Sequence, residues 1–192
     1  MKLPPNNVTA GLDAITVHLD VFVEQSQATP FFLWGGLGNP ATSSSGNGYL
    51  FASGNAFRAG ITTGNWSGEK VTSRSSGGNL ARGVWKSVTY TQTGTTGTLF
   101  EDGAQVGQNT AVTVLPSAIG GGTTTNNVLG ESTYAADNSL KGKVRNFRIY
   151  NRALSASEVA QISLTDANRL AADEDALTLG DLSSVTSDLT LP

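Results

Sequence analysis

The sequence predicts an all-β fold, a two-sheet antiparallel jelly-roll β-sandwich that ends in a short C-terminal helix. Three observations support this prediction. Only 14% of the 192 residues are charged and 23 are glycine, which is typical of a chain with many turns. Short apolar runs alternate with clusters of glycine, asparagine, aspartate and serine at the spacing of a sandwich. Residues 15–24 also alternate between the two faces of a strand with period two.

That first segment, from Ile15 to Glu24, is predicted to be a strand with one buried face and one face open to water or a ligand. Its odd positions are aliphatic, whereas its even positions include Thr16, His18 and Asp20. Further strands are predicted where apolar or β-branched residues cluster, at residues 30–37, 49–52, 56–62, 70–74, 84–92, 111–115 and 128–131 and within 139–151.

A hairpin and a helix have the clearest local signals. Asp102-Gly103 joins two extended runs within residues 96–109, which indicates a type I′ turn because both turn residues must take positive φ. Ser155 and Glu158 form a capping box, which predicts a helix to about Ile162. An apolar stripe predicts a second helix over residues 165–177, and the tail beyond it is extended.

Composition excludes several classes of function. The chain has no cysteine, so thiol chemistry, zinc–thiolate sites and disulfides are excluded. A core of this size holds a fold together without such crosslinks. The net charge is −3 and the lysines and arginines are scattered, which argues against nucleic acid as a partner. No apolar run reaches the roughly 18 residues of a membrane span.

Three segments, in order, resemble motifs of LamG-like domains, the laminin G-like and concanavalin A-like lectin/glucanase jelly rolls. Residues 83–90 (GVWKSVTY) resemble the strand motif G-x-W-H-H-V-A-x-T, and residues 97–103 (GTLFEDG) resemble the hairpin G-T-L-Y-x-D-G. Residues 141–155 (KGKVRNFRIYNRALS) resemble the closing signature of the family. The resemblance covers roughly Leu3 to Ile162.

The resemblance implies a domain organisation and a location. Residues 1–163 are expected to form the LamG-like domain, and residues 164–192 a helical linker and the start of a bacterial Ig-like module. Such domains accompany secreted, multidomain bacterial glycoside hydrolases, often arabinan- or arabinofuranoside-active ones, so an extracellular or cell-surface location is expected. Family domains usually carry about two more strands before Leu3. We therefore expect an open sheet edge, which part of residues 178–191 would cover.

The leading functional hypothesis is a non-catalytic module that binds a plant-type or other polysaccharide or oligosaccharide for the catalytic module of its parent chain. A structural spacer or protein-interaction domain is the alternative. A glycosidase in its own right is the least favoured, because a retaining enzyme needs two carboxyl groups about 5 Å apart. Asp20 and Glu24 share a strand face but should lie about 13 Å apart.

Four residues are candidates for the ligand site. His18 and Asp20 are expected on the same exposed sheet face, with the alternative that they are only polar surface. Trp66 stands in a loop of small polar residues, where its flat ring could stack on a sugar or simply pack against the loop. Tyr134 is in a similar loop. Asp137 and Asn138 are candidate ligands of a structural calcium, the one possible cofactor.

Overall fold

The computed structural model describes residues 1–3, 8–38, 48–122, 124–134 and 136–168. Within them, ten strands form two antiparallel five-stranded sheets, ordered β10-β1-β6-β7-β8 and β5-β4-β3-β2-β9. One helix, α1, occupies residues 156–168. The predicted two-sheet jelly roll is confirmed. The strands are β1 (Ala14–Val23), β2 (Phe32–Gly38), β3 (Tyr49–Ser53), β4 (Arg58–Thr62), β5 (Lys70–Ser73), β6 (Trp85–Thr93), β7 (Thr96–Glu101), β8 (Ala104–Asn109), β9 (Asn126–Leu129) and β10 (Gly142–Tyr150).

The core lies between the two sheets. The odd residues of β1, from Ile15 to Val23, are all fully buried there, as their alternation predicts. Trp34, Leu50 and Ile61 of the second sheet meet them from the opposite side and are also fully buried. The period-two pattern therefore identified the inner face of β1 correctly.

The β7–β8 hairpin has the predicted turn. Asp102 and Gly103 have φ values of 50° and 80°, as a type I′ turn requires. The turn also touches α1, since a Cβ added to Gly103 would lie 3.0 Å from the Cα of Ala160. A glycine at this position lets the helix pack closely on the hairpin.

Helix α1 begins with the predicted capping box. The Ser155 N–H donates to Glu158 Oε2 (2.8 Å), and the Glu158 N–H donates to Ser155 Oγ (3.3 Å). The predicted end near Ile162 is wrong, because the helix continues to residue 168, the last one described before the C-terminal tail. Ser163 and Asp166 are both buried against the first sheet, and their contacts hold this part of the chain helical. The domain division at 163/164 stays a prediction.

Residues 111–115 do not form the predicted strand. Val112 is buried, and its N–H donates to the carbonyl of Thr95 (2.9 Å). The carbonyl of Val114 accepts a hydrogen bond from the side chain of Gln92 (2.7 Å). Apolar packing and these two isolated hydrogen bonds hold residues 111–115 in place, without the regular hydrogen bonds of a β-strand. The other predicted strands agree with the structure to within about two residues at each end.

The outer edge of β9 is covered by the first residues of the chain. The Leu3 N–H donates to the carbonyl of Asn127, and the Leu129 N–H donates to that of Met1, each at 2.8 Å. Edge strand β10 carries a bulge opposite β1, where Asn146 takes a φ of 51°. Residues 178–191, proposed to cover an edge, lie outside the described residues. No helix in the described ranges is long and apolar enough to cross a membrane.

Candidate functional site

The structure places the predicted site residues in two separate locations. His18 and Asp20 lie on the outer face of the first sheet, beneath α1. Trp66 and Tyr134 lie together on the outer side of the second sheet. The four residues therefore do not form one site, and each location has its own chemistry.

The face that carries His18 and Asp20 is not exposed, and that prediction was wrong. His18 is 0% exposed and Asp20 is 4% exposed, because α1 covers the face. Phe100, Leu154 and Val159 form an apolar cluster between helix and sheet, and the hydroxyls of Ser87 and Ser163 are hydrogen-bonded at 2.9 Å. Strand β1, which alternates between apolar and polar residues, is therefore buried on both faces.

A network of charged groups connects α1 to the sheet through Asp166. The guanidinium of Arg148 donates to both oxygens of Asp166, at 2.7 and 2.9 Å. His18 Nε2–H donates to Asp166 Oδ2 (3.1 Å), so Nδ1 of the neutral ring is free to accept from the Thr89 hydroxyl (2.8 Å). Because both ring nitrogens and both carboxylate oxygens have partners, this contact fixes the helix on the sheet.

The pKa values of this network follow from burial and pairing. Burial lowers the pKa of His18 below its usual value, and the hydrogen bond to Asp166 only partly offsets that effect. Burial alone would raise the pKa of Asp166, but its hydrogen bonds with Arg148 and His18 outweigh burial and hold this pKa below its usual value. The folded network therefore favours a neutral imidazole and an ionised carboxylate.

Three potential metal ligands meet in this network. One donor atom from each of His18, Asp20 and Asp166 lies within 4.8 Å of the others. Both carboxylates already have cationic partners, since Arg148 binds Asp166 and Arg145 Nε lies 3.5 Å from Asp20. A divalent ion would add positive charge where the charges are already balanced. Neither carboxylate is free to act as a catalytic acid or nucleophile, because each is buried and paired.

The second location is an open groove of about 310 Å³ over the second sheet. We call it the aromatic groove. The residues that line it come from β2, β3 and β4 and from the loops around them: Pro30, Phe32, Tyr49, Phe51, Arg58, Trp66, Glu69, Ser132, Thr133, Tyr134, Ala136 and Asp137. Trp66 and Tyr134, predicted separately from the sequence, are brought together here.

The floor of the aromatic groove is a group of packed rings. Phe32 meets Phe51 edge-on, with ring centroids 5.3 Å apart, and Tyr49 lies 5.7 Å from Phe51. Tyr49 and Phe51 are two residues apart on β3, so their side chains share the outer face. Gly60 faces Phe51 from β4, and a Cβ there would lie 2.6 Å from the ring. This glycine makes room for the floor.

The rim of the groove presents Trp66. Trp66 is 64% exposed and begins a short 3₁₀ turn (Trp66–Gly68). The Trp66 N–H donates to the hydroxyl of Tyr134 (3.2 Å), and the Tyr134 ring packs edge-on against Tyr49 at 5.8 Å. The loop that carries the exposed indole is therefore attached to the groove wall.

The polar part of the groove is centred on Glu69. Its carboxylate accepts a hydrogen bond from the Tyr49 hydroxyl (2.6 Å) at one oxygen and from Arg58 (2.8 Å) at the other. The guanidinium of Arg58 also stacks 4.8 Å from the centre of the Phe51 ring. Burial and the hydrogen bond to Glu69 raise the pKa of Tyr49 far above its usual value, so its hydroxyl stays protonated.

Asp137 and Asn138 have different positions. Asp137 lines the groove. Asn138 uses its side-chain N–H₂ group to donate to the carbonyls of Thr29 (3.3 Å) and Pro30 (3.2 Å), so it holds the neighbouring loop. The structural calcium at these two residues stays a prediction.

Sequence reasoning missed most of the groove, namely the aromatic floor and the pair formed by Arg58 and Glu69. A signal for the floor was present, because Tyr49 and Phe51 flank Leu50 in a short strand and must point away from it. No local pattern connects Glu69 to β3. That contact depends on how β5 follows the Trp66 turn.

Comparison with known proteins now identifies the family. A laminin G family model, described as the concanavalin A-like lectin/glucanases superfamily, matches residues 2–160. The chain belongs to the concanavalin A-like lectin/glucanase superfamily. The predicted family is therefore confirmed, and the matched residues include every strand of both sheets. No curated protein sequence matches the chain.

Solved structures show the same lectin-like fold. Domain 4 of AbnA, a GH43 extracellular arabinanase from Geobacillus stearothermophilus in complex with arabinotriose, matches with a TM-score of 0.64 and 16% identity over 84% of this chain and 71% of that one. The CBM40 of Ruminococcus gnavus IT-sialidase, bound to α2,3-sialyllactose, matches with a TM-score of 0.62 and 14% identity over 85% and 95%.

A larger enzyme contains the same fold as a part. Trypanosoma rangeli sialidase matches with a TM-score of 0.53 and 19% identity over 80% of this chain but only 23% of its own. At these identities the likeness shows the fold.

Proposed function

We propose that this lectin-like domain is a non-catalytic carbohydrate-binding module that holds an oligosaccharide in the aromatic groove. A sugar ring has an apolar face of C–H groups and an edge of hydroxyls. In the groove, an exposed indole can stack on the apolar face of the sugar, and fixed polar groups can hydrogen-bond to its hydroxyls. Its volume of about 310 Å³ is at the lower end of small-molecule sites, which suits one or two sugar rings.

The observation that carries the proposal is the exposure of Trp66. An indole that is 64% exposed costs solubility, and such side chains mark binding surfaces when they stand beside other aromatic residues. Among the described residues, the other large exposed hydrophobic side chains are Met1, Val84 and Leu164, and none of them lines the groove. Trp66 is therefore placed where a ligand can cover it.

A binding role without catalysis fits the carboxylates of the groove. Glu69 has both oxygens engaged, by Tyr49 and Arg58, and its side chain is only 11% exposed. A catalytic acid needs a carboxyl group with access to the glycosidic oxygen. Glu69 is instead positioned to hold Tyr49 and Arg58 in place.

The fold neighbours support a role for this module within a larger carbohydrate-active enzyme. Two of them are carbohydrate complexes of domains from an arabinanase and a sialidase. We propose that this chain likewise serves a secreted bacterial glycoside hydrolase and keeps its catalytic module near a polysaccharide. An extracellular or cell-surface location follows from that role.

The test is a glycan array followed by calorimetric titration of the best ligand with the intact chain. Trp66→Ala should weaken binding about tenfold, because that factor corresponds to about 1.4 kcal/mol, the scale of one stacking contact. Val84→Ala removes an exposed apolar side chain outside the groove and should leave affinity unchanged. Thermal melts should be similar for both variants.

Two results would contradict the proposal. If no glycan binds, the domain is a structural spacer. If a glycan binds with equal affinity to the wild type and to Trp66→Ala, the ligand lies elsewhere on the molecule.

A further inference from the structure

From the charges that line the aromatic groove, we infer that it selects neutral oligosaccharides and discriminates against acidic ones. This inference rests on the proposed function and names the ligand class of the same site. The fold neighbours leave the choice open, because arabinotriose is neutral whereas sialyllactose carries a carboxylate. The groove itself must decide between the two classes.

Arg58 is the single cation among the described residues that line the groove. Recognition of an acidic sugar requires a cation with charge to spare, and an arginine is the usual choice. The charge of Arg58 is already committed, because its guanidinium donates to Glu69 at 2.8 Å. It also stacks on Phe51, which restricts its movement toward a ligand.

Glu69 is held in the orientation that neutralises Arg58. The Tyr49 hydroxyl donates to its second oxygen at 2.6 Å, and Tyr49 is itself 2% exposed. The carboxylate therefore cannot swing away from Arg58 without losing a second short hydrogen bond in a poorly hydrated place. The pair presents almost no net charge to a ligand.

The remaining charge at the groove is negative. Asp137 is partly exposed at the wall, so the lining carries one cation and two anions. A ligand carboxylate would lose water, meet Asp137 and find no unpaired cation, and all three effects weaken its binding. A neutral sugar meets none of these penalties. It can use the hydroxyls of Ser132 and Thr133 and the ring of Trp66.

The experiment compares ligand pairs in which one member is neutral and the other carries one or more carboxylates. The probes are lactose against sialyllactose, xylotriose against its glucuronic acid-substituted form, and galactotriose against trigalacturonic acid. For every pair in which either member binds, the neutral member should bind at least about tenfold more tightly to the wild type. The difference should shrink in high salt, because it is electrostatic in origin.

Two variants test the cause. Glu69→Gln keeps the size of the side chain and removes its charge, so Arg58 becomes an uncompensated cation and the preference for neutral ligands should fall about tenfold or more. Glu24→Gln makes the same change of net charge at an exposed position outside the groove and should leave the preference unchanged. Asp137→Asn removes the repelling charge without touching the buried pair. If Glu69→Gln folds poorly, Asp137→Asn provides the test, and it too should reduce the preference for neutral ligands.

The outcomes separate this inference from the proposed function. If acidic members bind as tightly as neutral ones, or if neither Glu69→Gln nor Asp137→Asn changes the preference, the charge argument is wrong while glycan binding stands. If the chain binds no glycan at all, both are overturned.

Discussion

Replacement of Asp166 by asparagine should cost more stability than any other single charge removal on α1. The Asp166 side chain is 1% exposed and accepts three hydrogen bonds, two from Arg148 and one from His18. Asparagine keeps the shape but leaves Arg148 without its counter-charge. It also turns an amide N–H₂ toward groups that donate hydrogen bonds.

The size of the loss follows from burial. Removal of one partner from a fully buried ion pair costs about 3–5 kcal/mol. The side chain of Arg148 is 31% exposed and regains some hydration, so we expect the lower end, about 3 kcal/mol. Arg152→Gln is the control, because Arg152 and Glu158 are 56% and 42% exposed and solvent screens their pair, so its loss should cost much less stability.

The assay is urea unfolding at pH 7, followed by tryptophan fluorescence, which changes as the fully buried Trp34 becomes exposed to water. Hydrogen exchange over residues 156–168 then reports whether the helix opens locally before the sandwich unfolds. If Asp166→Asn and Arg152→Gln shift the unfolding midpoint equally, the network is not what holds α1 in place. The double variant Asp166→Asn/Arg148→Gln should recover part of the loss, because no unpaired charge is left.

Two further predictions concern His18 and Gly60. The folded pKa of His18 lies below its unfolded value of 6.5, so the unfolded state binds more protons, and the free energy of unfolding should fall as pH drops below about 6.5 and level off below the folded pKa. His18→Gln should lack this slope in pH-dependent urea titrations, whereas the contribution of ionised Asp166 is lost only below its own unfolded value of 3.8. Gly60→Ala should displace Phe51, cost about 1–3 kcal/mol and weaken glycan binding in melts and titrations. Gly64→Ala, with nothing within 4 Å of the added Cβ, should do neither.

Local patterns predicted the parts of the fold that depend on neighbouring residues. Alternation in β1 identified which side chains enter the core, Asp102-Gly103 identified a hairpin, and Ser155 with Glu158 identified the start of α1. In each case the cause lies within a few residues of the signal. The prediction of a strand at 111–115 was wrong, because the apolar side chains there pack against the core while their backbone does not pair with another strand.

The polar face of β1 shows where such reasoning fails. Thr16, His18 and Asp20 have the pattern of a solvated face, yet all three are buried. Their covering partner, Asp166, is 148 positions from His18 in the sequence, and a polar residue looks the same whether it meets water or a charged helix. The exposure of Trp66 agrees with its sequence context, because an indole among small polar residues has few neighbours to bury it.

The two outer faces of the sandwich therefore differ in what they can do. Both carry polar and aromatic side chains, so composition alone does not tell them apart. On the first sheet, Asp166 of α1 pairs with His18 and Arg148, and Arg145 of β10 pairs with Asp20, so both buried carboxylates have partners within the chain. On the second sheet, Glu69 holds Tyr49 and Arg58 in place but leaves the rings of Trp66 and Tyr134 open at the groove. A surface whose polar groups are already satisfied gains little from a ligand, whereas preorganised groups beside an uncovered indole do gain. Recognition by this domain should therefore be sought at the second sheet, even though the first sheet carries the only histidine of the chain, next to the buried carboxylates of Asp20 and Asp166.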